Sequence, residues 1–288
     1  MGVFGLNGWG LFGTNFPILD DIILRKEKKR KIFYKRMTSY HGGKQRIGLE
    51  IAENIHLVST IIQSNTKFKL KGYCEPFCGM LGVYKHIPSL FYDQKLKYKA
   101  GDTNESVIKM WQSAQKGWKP PTSSSEEEYN RLKVAKSSAL KGFVGHQFSF
   151  GGQFFNGYAP KYGKTKDSTK ASNSVIDISK KLKDVDFNCG PYTQFSNVKG
   201  YIIYCDPPYE NTISRYYKND KDDMLTFNQE KFWDWCRRMS QHNIVFISSY
   251  DAPSDFIKIM ESSHKLTGIA AGDNDKNRIE KLFIYKQS

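Results

Sequence analysis

Apolar residues recur at Ile47, Ile51, Ile55, Val58 and Ile62, a spacing that predicts an amphipathic helix starting near residue 44. Residues 68–75 read instead as a strand, which runs into EPFCGMLG, a turn with two glycines. A short helix to about Ile87 is expected to be broken by Pro88. LKYKAGD, residues 96–102, predicts a second strand that ends on an aspartate, and NESVIKMW then opens a helix with Asn104 as its cap. DVDFNC, YIIYC and NIVFISSY read as further strands, and KLFIY as the last. Between them, FNQEKFWDWCRRM sets Phe232, Trp235, Cys236 and Met239 on one helical face, and SDFIKIMES reads as another helix. Strands alternating with helices predict an α/β fold with a mainly parallel sheet and helices on both faces.

The alternation lapses over residues 122–182. KPPTSSSEEE, residues 119–128, breaks the composition and marks a boundary. After it comes GFVGHQFSFGGQFFNGYAPKYGK, dense in Gly, Phe and Lys. Residues 37–121 and 183–288 therefore read as one α/β domain, interrupted by an insertion at 122–182. Residues 1–36 stand apart: a glycine- and aromatic-rich start, then the basic run RKEKKRKIFYKR at 25–36. That stretch reads as a loosely attached basic arm with weak phosphate contact; the sharper alternative is a nuclear-import signal.

Charge narrows the partners. The 288 residues carry 44 Lys and Arg against 29 Asp and Glu, a net charge of +15. Such an excess points to a polyanion, most often nucleic acid. No apolar run approaches the roughly 18 residues that a spanning helix needs, so no membrane partner is expected. The N-terminus lacks the charged and apolar regions of a signal peptide, and the 5 cysteines read as reduced, buried thiols. An intracellular protein is expected, cytoplasmic or, with the basic arm, nuclear. Cys74 and Cys78 have no second pair, so no metal site is expected.

The candidate chemistry gathers where the strands end, which is where open parallel sheets bind ligands. Phe77 and Gly79 follow the first strand, Asp102 ends the second, Pro191 and Tyr192 follow the third, and Asp206 follows the fourth. The turn at Glu75–Gly79 lets the backbone approach a ligand closely. Asp102 stands beyond Gly79 at about the spacing of an acid that takes ribose hydroxyls, although AGDTNES also fits a helix cap. YIIYC delivers Asp206, then two prolines that forbid continuation of a central strand, then Tyr209. A rigid turn holding an acid beside an aromatic ring suits a flat polar ligand.

The set Tyr40-His41-Gly42-Gly43-Lys44, Glu75-Pro76-Phe77-Cys78-Gly79 and Asp206-Pro207-Pro208-Tyr209 resembles the Dam-type adenine-N6 DNA methyltransferases, in the motif order of their alpha group. The similarity runs from about residue 38 to 286 and includes FNCGPYTQF and FNQEKF…VFISSYD. It implies a Rossmann-like S-adenosylmethionine-dependent methyltransferase fold with an inserted target-recognition domain. It implies that Tyr40, Gly43 and Lys44 close over the cofactor S-adenosyl-L-methionine, the lysine facing its carboxylate. Glu75, Phe77 and Gly79 would lie under it, Asp102 on its ribose, and Tyr192 and Asp206 beside it. Asp206, Pro207, Pro208 and Tyr209 would act on the target amine. The family often has a second glycine where this chain has Leu81, so the loop is expected to take a different path.

The resemblance also implies double-stranded DNA as partner and leaves a cognate restriction endonuclease open. Lys161 and Lys164 would meet phosphates, while Phe155, Asn156 and Tyr158 would contact bases or fill the gap left by a flipped one; Arg215 in SRYYK is a further DNA edge. The same aromatics could instead pack a small core of the insertion, and the lysines a solvated face. Cytosine-N4 or RNA-adenine methylation shares the amine chemistry, and a catalytically decayed DNA-binding protein is the non-enzyme alternative.

Overall fold

The structure, a computed structural model, describes residues 40, 43–159, 169–208, 227–265 and 279–286. The basic arm, His41, Gly42, Lys161, Lys164, Tyr209 and Arg215 lie outside the described residues. The elements are α1 (Gly48–Asn65), β1 (Gly72–Glu75), α2 (Ile87–Leu90), β2 (Lys97–Asp102), α3 (Glu105–Gln115), α4 (Glu126–Val134), α5 (Ala139–Gln147), α6 (Thr169–Ser179), β3 (Val185–Cys189), β4 (Tyr201–Cys205), α7 (Gln229–Ser240), β5 (Ile244–Ser249), β6 (Phe256–Lys265) and β7 (Ile279–Tyr285). The strands form one sheet in the order β3-β2-β1-β4-β5-β7-β6. β3, β2, β1, β4 and β5 pair in parallel, and β7 runs antiparallel to both β5 and β6.

Side-chain alternation sorts the core into two layers. Tyr73, Ala100, Ile202, Tyr204, Phe246 and Leu282 face the larger one, with Ile51, Ile55 and Val58 of α1 and Val107, Met110 and Trp111 of α3. Cys74, Ile203, Cys205, Val245, Ile247 and Phe283 face the other, against Phe232, Trp235, Cys236 and Met239 of α7. β4 is buried along its whole length because both layers close on it, which is why YIIYC reads as a continuous apolar run.

Residues 122–182 contribute helices to the larger layer. Tyr129 and Leu132 of α4, Phe143 and Val144 of α5, and Val175 and Ile178 of α6 belong to the same core as α1 and α3. Gly142 permits the approach of α5 to α3: a Cβ there would stand 2.2 Å from the Ser106 carbonyl oxygen.

Two expectations fail for local reasons. SDFIKIMES is strand, not helix. Met260 pairs with Leu282 where Lys258 pairs with Phe283, so Ile259 is an extra residue in a bulge. The bulge leaves Phe256, Ile259 and Met260 all buried, an apolar spacing that imitates a helix. Pro88 does not end a helix either. It sits in the first turn of α2, after a 3-10 turn at Tyr84–His86, where a missing N–H costs nothing. Of the cysteines, Cys74, Cys78, Cys205 and Cys236 are buried and free as expected, whereas Cys189, at the end of β3, is exposed. Among the described residues no helix is long and apolar enough to cross a membrane, and no cluster of side chains suits a metal ion.

Candidate active site

The parallel strands β1 to β4 deliver their carboxyl ends to one cavity of about 390 Å³. Its lining includes every described cofactor candidate: Tyr40, Gly43, Lys44, Glu75, Phe77, Gly79, Asp102, Tyr192 and Asp206. Pro208 lines it as well. A volume of that order suits a small-molecule site, about 300–1,000 Å³.

The floor is a glycine turn under an aromatic ring. Gly79 takes φ +43°, and a Cβ on it would meet the Tyr40 ring at 2.8 Å. Tyr40 in turn touches His146, with ring centroids 4.6 Å apart, and His146 touches Phe154 at 4.9 Å. Leu81 adopts φ +52°, a left-handed conformation that costs a non-glycine residue about 1–2 kcal/mol. Its side chain is fully buried, which offsets that cost. The loop thus has left-handed backbone where the family often has glycine.

Asp102 ties the neighbouring turns together. One carboxylate oxygen accepts from the Gly79 N–H at 3.0 Å, and the other from the Asn104 N–H at 2.9 Å. It is not the cap of α3; Asn104 is, accepting from the Val107 N–H at 3.2 Å. Phe77 and Tyr192 stack with centroids 5.6 Å apart and pack edge-on to Phe232, building an apolar wall.

Asp206 stands among further buried carboxyl groups, Glu280 and Glu75. The Lys44 ammonium donates to Asp206 Oδ1 at 2.6 Å and lies 3.8 Å from Glu280. Burial opposes the lysine charge, but Asp206 and Glu280 outweigh it and raise its pKa. In the described structure Lys44 therefore faces Asp206, whereas the resemblance assigned it to a cofactor carboxylate. Glu75 is 2% exposed and accepts from the Tyr73 hydroxyl at 2.6 Å. Burial pushes its carboxyl up to about 8, against that hydrogen bond and with further help from Asp206.

Residues not singled out in the sequence complete the wall. Phe227, Asn228 and Lys231, at the start of α7, line the cavity, as do Gln45 and Tyr204. Gln229 donates to the Pro208 carbonyl at 2.9 Å and so pins the proline turn. The only sequence signal for it was its place in FNQEKF, just after the Asn228 cap.

The insertion residues sit elsewhere. Phe155 is 6% exposed, in left-handed backbone at φ +49°, its ring 4.9 Å from those of both Tyr129 and Phe154. The Tyr158 hydroxyl donates to the Ser124 carbonyl at 2.9 Å. Asn156 is exposed, and its amide donates to Gln153. None of the three lines the cavity.

The residues present fit S-adenosylmethionine: Asp102 as an acid for ribose, an apolar wall for a base, and the Gly79 turn lining the same cavity. Against known proteins, the family described as D12 class N6 adenine-specific DNA methyltransferase matches residues 151–273, less than half of the chain. That stretch holds Tyr192 and Asp206–Tyr209 but neither Lys44 nor the Glu75–Gly79 turn. No curated protein matches in sequence. Among solved structures the chain is similar to one provisionally described as a methylase, from Haemophilus influenzae, at 9% identity and TM-score 0.31, over 81% of this chain and 99% of that one. It is also similar to the rRNA methyltransferase aviRa of Streptomyces viridochromogenes, at 8% identity and TM-score 0.35, over 83% of this chain and 84% of that one. The family match supports an adenine methyltransferase family, and the fold is α/β and Rossmann-like, consistent with the S-adenosylmethionine-dependent methyltransferases.

Proposed function

We propose that this protein transfers a methyl group from S-adenosylmethionine to the N6 amine of an adenine flipped out of double-stranded DNA. One observation carries the reading. Asp206, at the end of β4, shares one cavity with Asp102, Gly79 and the Phe77–Tyr192 wall, so an acceptor for an amine and a nucleoside site are adjacent.

The exocyclic amine is a poor nucleophile because its lone pair is delocalised into the ring. Asp206 accepts one amine hydrogen, oriented by the Lys44 ammonium on Oδ1. A backbone carbonyl of the Pro207–Pro208 turn, which Gln229 pins through the Pro208 carbonyl, accepts the second hydrogen. Two acceptors favour a pyramidal nitrogen and free its lone pair. The bound cofactor supplies an electrophilic methyl group on a sulfonium. The freed lone pair would accept that methyl group, with the bond to sulfur giving its electrons back to sulfur, and the surplus amine proton would leave by way of Asp206. Tyr209 would stack on the base. Placement and electrostatics carry the rate; no metal or covalent intermediate enters.

Labelled cofactor and adenine-containing duplexes test this. Asp206→Ala should bind the cofactor as the wild type does and lose transfer by at least about 100-fold. Unchanged turnover would sink the mechanism. Tight duplex binding without any methyl transfer by the wild type would favour the decayed DNA-binding alternative.

A further inference from the structure

A parallel sheet gathers the residues before its strands as surely as those after them. In this chain those residues are lysines. Lys67, Lys69 and Lys71 precede β1, Lys97 opens β2, Lys183 precedes β3 and Lys199 precedes β4. All are exposed, and none forms an ion pair with another described residue. Adjacency is direct at the centre. Lys71 N–H donates to the Gly200 carbonyl at 2.7 Å, and Lys97 N–H to the Lys71 carbonyl at 3.0 Å. The Lys71 side chain leans over Gly200, whose absent Cβ would stand 3.2 Å from it, next to Lys199. Strands of four to six residues put this edge roughly 13–20 Å from the carboxyl-end cavity.

A second observation joins it. The connection from β3 to β4 holds only a 3-10 turn, Tyr192–Phe195, where a helix would otherwise cover that face of the sheet. The open face carries a groove of about 460 Å³, lined among others by Lys99, Asn188, Asn197, Lys199 and Tyr201. Lys99 is ion-paired with Asp186 at 2.5 Å, so the Lys199 ammonium and the Asn188 and Asn197 amides are the donors there that match phosphate and sugar oxygens.

We infer that the amino-terminal edge of the sheet, with this groove, is a second contact surface for the DNA backbone, separate from the segment that enters the cavity. The positive charge and the groove stand by themselves; the choice of DNA as occupant rests on the proposed methyl transfer. Contacts of this kind are blind to sequence and release counterions. They would hold the enzyme on the duplex while the carboxyl-end cavity samples bases.

The test is the salt dependence of affinity for a random-sequence duplex, measured by fluorescence anisotropy on the full chain. The triple variant Lys71→Gln, Lys97→Gln, Lys199→Gln should lower the slope of log affinity against log salt by about 2.7, or about 0.9 per lost phosphate contact. Methyl transfer at saturating short duplex should stay unchanged, since none of the three lines the cavity. An identical slope in a folded variant overturns the inference. So does a loss of binding to anionic lipid vesicles with the duplex slope intact. The slope needs no turnover, so a slope change in the triple variant, with no methyl transfer by the wild type, would overturn the proposed reaction and leave this surface standing.

Discussion

At Glu75 the site holds a carboxyl group where ionisation is costly. Its pKa rises from an ordinary 4.5 to about 8, chiefly through burial. The folded protein therefore keeps a proton that the unfolded chain gives up above 4.5. The stability this group contributes is whole below 4.5 and is lost as pH rises to about 8. Glu75→Gln keeps the shape without the titration. Its urea midpoint should vary less with pH across that window than the wild type's. Equal dependence in both would refute the assignment. Leu81 shows the opposite balance, a strained backbone held by a buried side chain. Replacing it with glycine would relieve the left-handed strain but give up about 1.5–3 kcal/mol of burial.

Among the elements, α7 has two tasks. Its apolar face, with Phe232, Trp235, Cys236 and Met239, covers the sheet, and the sequence period showed this. Its first turn reaches the proline turn through Gln229, which no periodicity could show, because the contact spans 21 residues of chain and ends on a carbonyl. If Gln229 positions Pro208, then Gln229→Leu should lower the single-turnover transfer rate about tenfold, the worth of one hydrogen bond, with cofactor affinity unchanged. Gln229→Glu adds a sharper readout. A neutral carboxyl can still donate to the Pro208 carbonyl, and a carboxylate cannot, so its rate relative to wild type should fall as pH rises through its titration. A flat ratio would count against positioning. β6 marks the limit of pattern reading from the other side: one bulged residue, Ile259, was enough to disguise a strand as a helix.

At the scale of the molecule, helices α4 to α6 and the sheet share one core. Phe143, fully buried on α5, is a probe of that sharing. Phe143→Ala should cost about 3–5 kcal/mol. Tryptophan fluorescence and far-UV circular dichroism should report it as the same single unfolding transition. Two separated transitions would show that residues 122–182 fold apart. The sequence by itself determined the strands β1 to β5 and β7, the helices α1, α3 and α7, and the residue types at the strand ends. Those follow from periodicity, capping and proline chemistry, all local along the chain. Only the tertiary structure decided that Lys44 meets Asp206 across 162 residues, that Asp102 braces Gly79 rather than capping α3, and that the lysines before the strands form one edge. Each of these depends on strand order, and strand order is set by which faces can be buried together, a property of the whole core that no window of sequence contains.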